Sequence, residues 1–270
     1  MSLAPPRART RPVGTVYAEI VPGAPGRRRP HLAELHCTGA VALRSAGDAL
    51  YLVGAGAHPI GGDETTIQLV LADGACVRVT SVGATLARKG FDDIPSSQRV
   101  ELTLGADAAL DWSPEPGIAA AGSRHRTSTV VQMARTARCS LAEEIVLGRH
   151  GEEPSGSWTT RTEVLVAGRP VLVSEIDLGS SHRSWRSCAG LGAARALASL
   201  VVVDPFVPSS SWQSSTVEAT GAVGVALPLA GPGIELLAWA DTLGGARTLL
   251  ERLRDEGRQR GWLPPRPVAG

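Results

Sequence analysis

Apolar and polar residues alternate with period two along most of this chain. That pattern predicts strands at 14–21 ("GTVYAEIV"), 40–45 ("AVALRS"), 49–54 ("ALYLVG"), 99–105 ("RVELTLG"), 128–134 ("STVVQMA"), 196–203 ("ALASLVVV") and 221–229 ("GAVGVALPL"). Two further pairs carry turn residues between them. "TTIQLVLA" and "ACVRVTS" flank Asp73-Gly74, and "TEVLVA" and "PVLVSEI" flank Gly168-Arg169; both read as hairpins closed by two-residue turns. The second would set Val166 against Val171 and Val164 against Val173. In the first, apolar residues fall on both faces, so its sheet is expected to be covered on both sides. One segment has a different period. Ala246, Leu249, Leu250 and Leu253 recur at i, i+3, i+4 and i+7, with Arg247, Glu251, Arg252, Arg254 and Asp255 opposite, which predicts an amphipathic helix over about 243–257 capped by Asp241 or Thr242. The expectation is a mainly β, multilayered β-sheet scaffold closed by a C-terminal amphipathic α-helix. A basic arm over 1–14 precedes one domain over 15–270, and neither an internal repeat nor a domain linker stands out.

Composition narrows the function classes. Of 270 residues 43% are hydrophobic but only 4% aromatic, so Val, Leu, Ala and Ile must build the core. The net charge of +1 gives no overall field to recommend nucleic acid or an anionic membrane. No apolar run approaches the ~18 residues of a membrane helix. Cys37, Cys76, Cys139 and Cys188 form no C-x-x-C pair, which points to a reduced, cytoplasmic chain.

The glycine-rich stretch "GAGAHPIGGDET" (54–65) has the look of a phosphate loop, yet a strand pattern follows it where a nucleotide site needs a helix N-terminus. Serine hydrolysis lacks a Gly-x-Ser-x-Gly elbow, and Ser181-His182 are neighbours that extended backbone would point apart. His58 is a metal candidate without a visible partner; Glu143, Glu144, Glu152 and Glu153 read as charged surface. Asp63 and Glu175 are harder to set aside, because both sit on strands expected to be covered, where a carboxylate needs a partner, a cation or water. A water-filled passage would satisfy them. Arginine partners would too, and this Arg-rich chain makes that the simpler account.

The motifs "HPIGGDETTIQLVLADGACVRVTSVGA" (58–84), "LDWSPEPGI" (110–118), "AEEIVLGRHGEEPSG" (142–156) and "AGRPVLVSEIDLG" (167–179) stand in an order that resembles the UreD (UreH) family of urease accessory proteins. The family elements fall on Gly61, Gly62, Thr80, Glu144, Gly148, Arg149 and Glu152, and the layout of 224–254 is also similar. The resemblance implies a β-rich, non-enzymatic chaperone that binds apo-urease and acts with UreF and the GTPase UreG in nickel insertion. GTP chemistry would belong to UreG, and no cofactor would be held permanently. It further implies a polar internal route for nickel in transit, which would employ Asp63 and Glu175. The chain departs from the family pattern at Gly56-Ala57-His58-Pro59, where Pro-Gly-Gly is usual, and at Thr80-Ser81-Val82, where Thr-Thr-Gln is common. The competing readings are a small β-rich metal-dependent hydrolase built on His58 and Asp63, and a ligand-binding β module.

Overall fold

The computed structural model describes residues 13–23, 31–179, 187 and 191–261. The strand pattern resolves into two stacked sheets. The first runs, from one edge to the other, β14 (Arg169–Gly179), β13 (Ser157–Val166), β11 (Arg124–Met133), β8 (Ser96–Leu104), β5 (Glu64–Leu71), β1 (Val13–Val21) and β2 (His31–Thr38). Its five inner strands are mutually parallel, and only the edge strands β14 and β2 are antiparallel to their neighbours. The second sheet runs β16 (Ser215–Ala219), β17 (Ala222–Pro228), β18 (Gly233–Ala240), β15 (Ala196–Val203), β12 (Arg138–Leu147), β9 (Ala109–Trp112), β6 (Cys76–Ser81), β4 (Ala49–Gly54) and β3 (Val41–Ala46). Short strands β7 (Thr85–Ala87) and β10 (Gly117–Ala119) run parallel to the end of β12. β1 already begins at Val13, inside the stretch expected to be an arm; residues 1–12, Ser181-His182 and Cys188 lie outside the described residues.

The expected hairpin at Asp73-Gly74 does not form. β5 and β6 belong to different sheets, and the turn between them is a corner at which the chain crosses from one to the other. Its polar groups bond to the next coil of chain: Gly74 N–H donates to Ala106 O (2.7 Å), and Asp73 Oδ1 accepts from Ala106 N (2.7 Å). Corners of the same kind follow β8 and β11. Ala75, Ala108 and Ala137 fill their insides, each fully buried, and N–H groups climb from corner to corner, Gly105 to Leu71 O, Ala134 to Leu104 O and Ala167 to Met133 O. Leu71, Leu104, Met133 and Val166 therefore stack in one row at intervals of 33, 29 and 33 residues. This is an internal repeat that the sequence reading missed, since its identity rests on a small residue inside each corner and little else.

The second hairpin forms with a different register. Ala167 (φ 49°) and Gly168 (φ 77°) are its central pair, both left-handed as a type I′ turn requires, so Val166 pairs with Arg169. A bulge after Val164 then brings Val164 opposite Leu172.

A dry core of Ile20, Leu43, Leu50, Ile67, Leu69, Leu71, Leu102 and Val131 fills the space between the sheets near the corners. Helix α1 (Leu243–Gln259) covers the other face of the second sheet. Thr242 caps it, its hydroxyl accepting from Gly245 N at 3.1 Å. The expected stripe of Ala246, Leu249, Leu250 and Leu253 is buried against β15, β17 and β18. Burial on both faces is thus found at β15, while β5 alternates between buried and half-buried positions.

Candidate functional site

The inner face of the first sheet changes character along its strands. Near the corners it presents Leu69, Leu102, Val131 and Val164; toward the strand starts it presents hydroxyls, an amide and an imidazole. Because the strands are parallel and in register, these polar residues form rows. One row is Ser96, His125 and Trp158, and the next is Thr65, Gln98, Thr127 and Thr160. Side-chain contacts stitch the first row together and tie it to the second. Ser96 Oγ lies 2.8 Å from His125 Nδ1, His125 stacks on Trp158 with centroids 4.2 Å apart, and Trp158 Nε1 donates to Thr127 Oγ1 (3.1 Å). Burial drives the His125 pKa down to about 3, so its ring is neutral.

The longer row has an acid or imidazole at each end. His58 Nε2 lies 2.7 Å from Thr65 Oγ1, and Thr160 Oγ1 donates to Glu143 Oε2 at 2.6 Å. Two chambers follow it between the sheets. One, of about 300 Å³, is lined by His58, Ile67, Ser81, Thr85, Gln98 and Trp112 among others; the second, of about 70 Å³, has Thr127, Glu143, Thr160, Ser174 and Glu235 in its wall. Thr85, Gln98, Trp112 and Pro114 line both, so the chambers adjoin. Among the described residues no Arg or Lys lines either chamber.

That charge arrangement sets the electrostatics. Burial raises the Glu143 carboxyl to about 7, with the Thr160 bond opposing the shift only in part. Glu235 is pushed up for the same reason, against a hydrogen bond from Ser174. His58 is pulled down by burial, with the nearby Asp63 charge resisting, and it too is neutral near pH 7. The smaller chamber thus holds carboxyl groups with no Arg or Lys beside them among the described lining residues, in a space large enough for water.

Several residues singled out from the sequence have structural tasks. Asp63 is buried (6% exposed), and its Oδ2 accepts from Ile60 N at 2.8 Å, closing the glycine loop. Gly61 lies where a Cβ would stand 2.6 Å from Gly90 N and 2.7 Å from Ile94 O, and Gly62 has φ 92°. Thr80 Oγ1 donates to Ser113 O (2.8 Å), joining β6 to the end of β9. Arg149 and Glu152 form an ion pair across the turn opened by Gly148 (φ 80°), and the Glu152 carboxylate also accepts from Arg149 N and Ala121 N. Glu144 points away from its neighbour Glu143 and grips Arg247 of α1 with both oxygens, at 2.7 and 2.5 Å.

Glu175 does not join the interior. It lies on the exposed face of edge strand β14, 3.5 Å from Arg161, while its neighbours Ser174 and Ile176 face the chamber. Being on an edge strand with one open face decides this, and the pattern "VLVSEIDL" does not reveal the edge. Conversely, Glu143 and Glu235, which the sequence reading left with the charged surface or passed over, are acids of the chamber wall, Glu235 buried and Glu143 half-buried. Their signal was an acid inside a largely apolar strand, one of the pair in "SLAEEIVL" and the single acid of "GIELLAWA".

The family model described as UreD urease accessory protein matches residues 25–263. Similar proteins include urease accessory protein UreD 3 of Streptomyces griseus subsp. griseus, 38% identical over 70% of this chain and 73% of the relative. Urease accessory protein UreD of Streptomyces coelicolor is 38% identical over 87% of this chain and 93% of its own length. Urease accessory protein UreD 2 of Saccharopolyspora erythraea is 35% identical over 74% and 71%. With a match that spans most of the sequence, this chain belongs to the UreD family of urease accessory proteins.

Proposed function

We propose that this protein is a cytoplasmic, non-enzymatic chaperone that delivers nickel to apo-urease in a complex with UreF and the GTPase UreG, and that the metal ion travels along the polar row between the two sheets. One observation carries this reading: Glu143 and Glu235 stand in the wall of the smaller chamber, and no Arg or Lys lines it among the described residues. A polar route that ends at acids and is roomy enough for water suits a cation that must be passed on rather than kept. Nickel is cargo here, and the protein's part is to supply oxygen donors in sequence, from Gln98 and the threonine hydroxyls of the row to Glu143 and Glu235; Asp63 lines neither chamber. Asp63 holds the loop that carries His58, which leaves its carboxylate poorly placed to act as the base of a hydrolase.

The test is activation of apo-urease in a mixture of this chain, UreF, UreG, GTP and limiting nickel. Glu143→Gln keeps the shape and the Thr160 partner but gives up the anionic ligand, so assembly of the complex should persist while activation falls. Full activation by a Glu143→Gln/Glu235→Gln protein would overturn the route. The purified chain alone should hydrolyse neither urea nor GTP, checked by ammonia and phosphate release.

A further inference from the structure

We propose that His58 is a selectivity ligand at the mouth of the larger chamber, binding borderline divalent cations through Nδ1 and passing over magnesium and calcium. This rests on the transit reading and adds to it a means of choosing the cargo. Among the residues lining the two chambers His58 is the one imidazole; every other side-chain donor with a lone pair to offer is a hydroxyl, amide or carboxyl oxygen. Oxygen donors serve magnesium and calcium well, so a lining of oxygen alone would admit the hard cations along with nickel. An imidazole nitrogen favours nickel, copper and zinc.

The geometry around the ring supports the assignment. His58 is half-buried in the chamber wall, and the mouth beside it is walled by Gly54 and Gly83, where an added Cβ would meet nothing within 4 Å. Its Nε2 is held by the hydroxyl of Thr65, itself 2% exposed and fixed in β5, while Nδ1 makes no hydrogen bond among the described residues. In the tautomer whose Nε2–H donates to Thr65 Oγ1, the one the proposal requires, the lone pair lies on Nδ1 and the ring is fixed as metal-binding histidines are. A single protein nitrogen completed by water binds weakly enough to release its ion inward, where Thr65 leads to Gln98, Thr127 and the Thr160–Glu143 pair.

The experiment uses the full chain with histidine rings labelled for NMR, titrated with nickel alone and with magnesium alone. Substoichiometric nickel should broaden the His58 ring signals before those of the other histidines, and a hundred-fold excess of magnesium should leave them in place. By equilibrium dialysis, His58→Asn should weaken nickel binding about ten-fold or more with magnesium binding unchanged, and Thr65→Val should weaken it by about ten-fold through loss of the orienting bond. A role confined to folding would lower the melting temperature without altering the nickel-to-magnesium ratio. Unperturbed His58 signals in nickel, or an unchanged ratio in a folded His58→Asn protein, would overturn the proposal. If the ratio collapses and urease activation nevertheless stays normal, the site stands and the transit reading is what fails.

Discussion

Burial of Glu143 in a chamber without a cation makes the fold sensitive to pH, and the sign follows from the direction of its shift. The folded state holds the proton up to about pH 7, whereas the unfolded chain gives it up near the ordinary glutamate value of 4.5. Stability from this group is therefore complete below about 4.5, declines as pH rises through the interval, and is fully lost above 7, a difference of about 3 kcal/mol. Urea midpoints of the metal-free protein at pH 5 and pH 8 should show this decline, and Glu143→Gln should reduce it. Equal pH dependence in the two proteins would mean that water already solvates the carboxylate. Glu175 is the counterpart on the outside: its bond to Arg161 is exposed on both sides, so Glu175→Gln should change stability by less than about 1 kcal/mol. Sequence alone identified strand-borne acids as the residues needing an explanation. It could not say which of them faced inward, because the parity of Glu143 and Glu175 depends on which strands are central and which is the edge.

At the scale of elements, the helix was legible and the corners were not. The period of 3.6 in "ARTLLERL" contains the whole reason α1 forms and the stripe by which it docks, and its observed span, Leu243–Gln259, exceeds the expected end by one half-turn. Leu250→Asp should lower stability by several kcal/mol, through lost contact and a buried charge together; an unchanged urea midpoint would show that the helix contributes no core. Asp73-Gly74 has the same positive φ at its glycine in a hairpin or a corner, so its residues cannot distinguish them. The choice is made by Ala106, a residue of the next coil that accepts from Gly74 N and donates to Asp73 Oδ1. The glycine loop is decided at a distance too. Gly61 is required by the approach of Gly90 and Ile94, and Gly61→Ala should cost about 1–3 kcal/mol from overpacking, read as a lowered thermal midpoint.

Over the whole molecule, the stacking of parallel coils does two things with one geometry. Residues at equal positions in successive coils fall into rows perpendicular to the strands, so a few similar choices per coil produce a continuous dry core near the corners and a continuous polar row near the strand starts. A polar row that crosses four strands needs only one suitable residue from each, and that sparse requirement is why it left so little trace in the sequence. Gln98 stands where the chambers adjoin, and it can be used to separate a blocked route from a weakened fold. Gln98→Phe should fill the junction, leaving binding of UreF and apo-urease intact but slowing activation at limiting nickel by about ten-fold or more. Met133→Phe enlarges a side chain in the dry core on the neighbouring strand, and overpacking there should cost about 1–3 kcal/mol. It should nevertheless leave the activation rate near that of the unaltered protein below its melting temperature. Activation that follows the melting temperature alone, equally impaired in both variants at equal loss of stability, would show that the chambers are packing defects and that nickel reaches urease by another way.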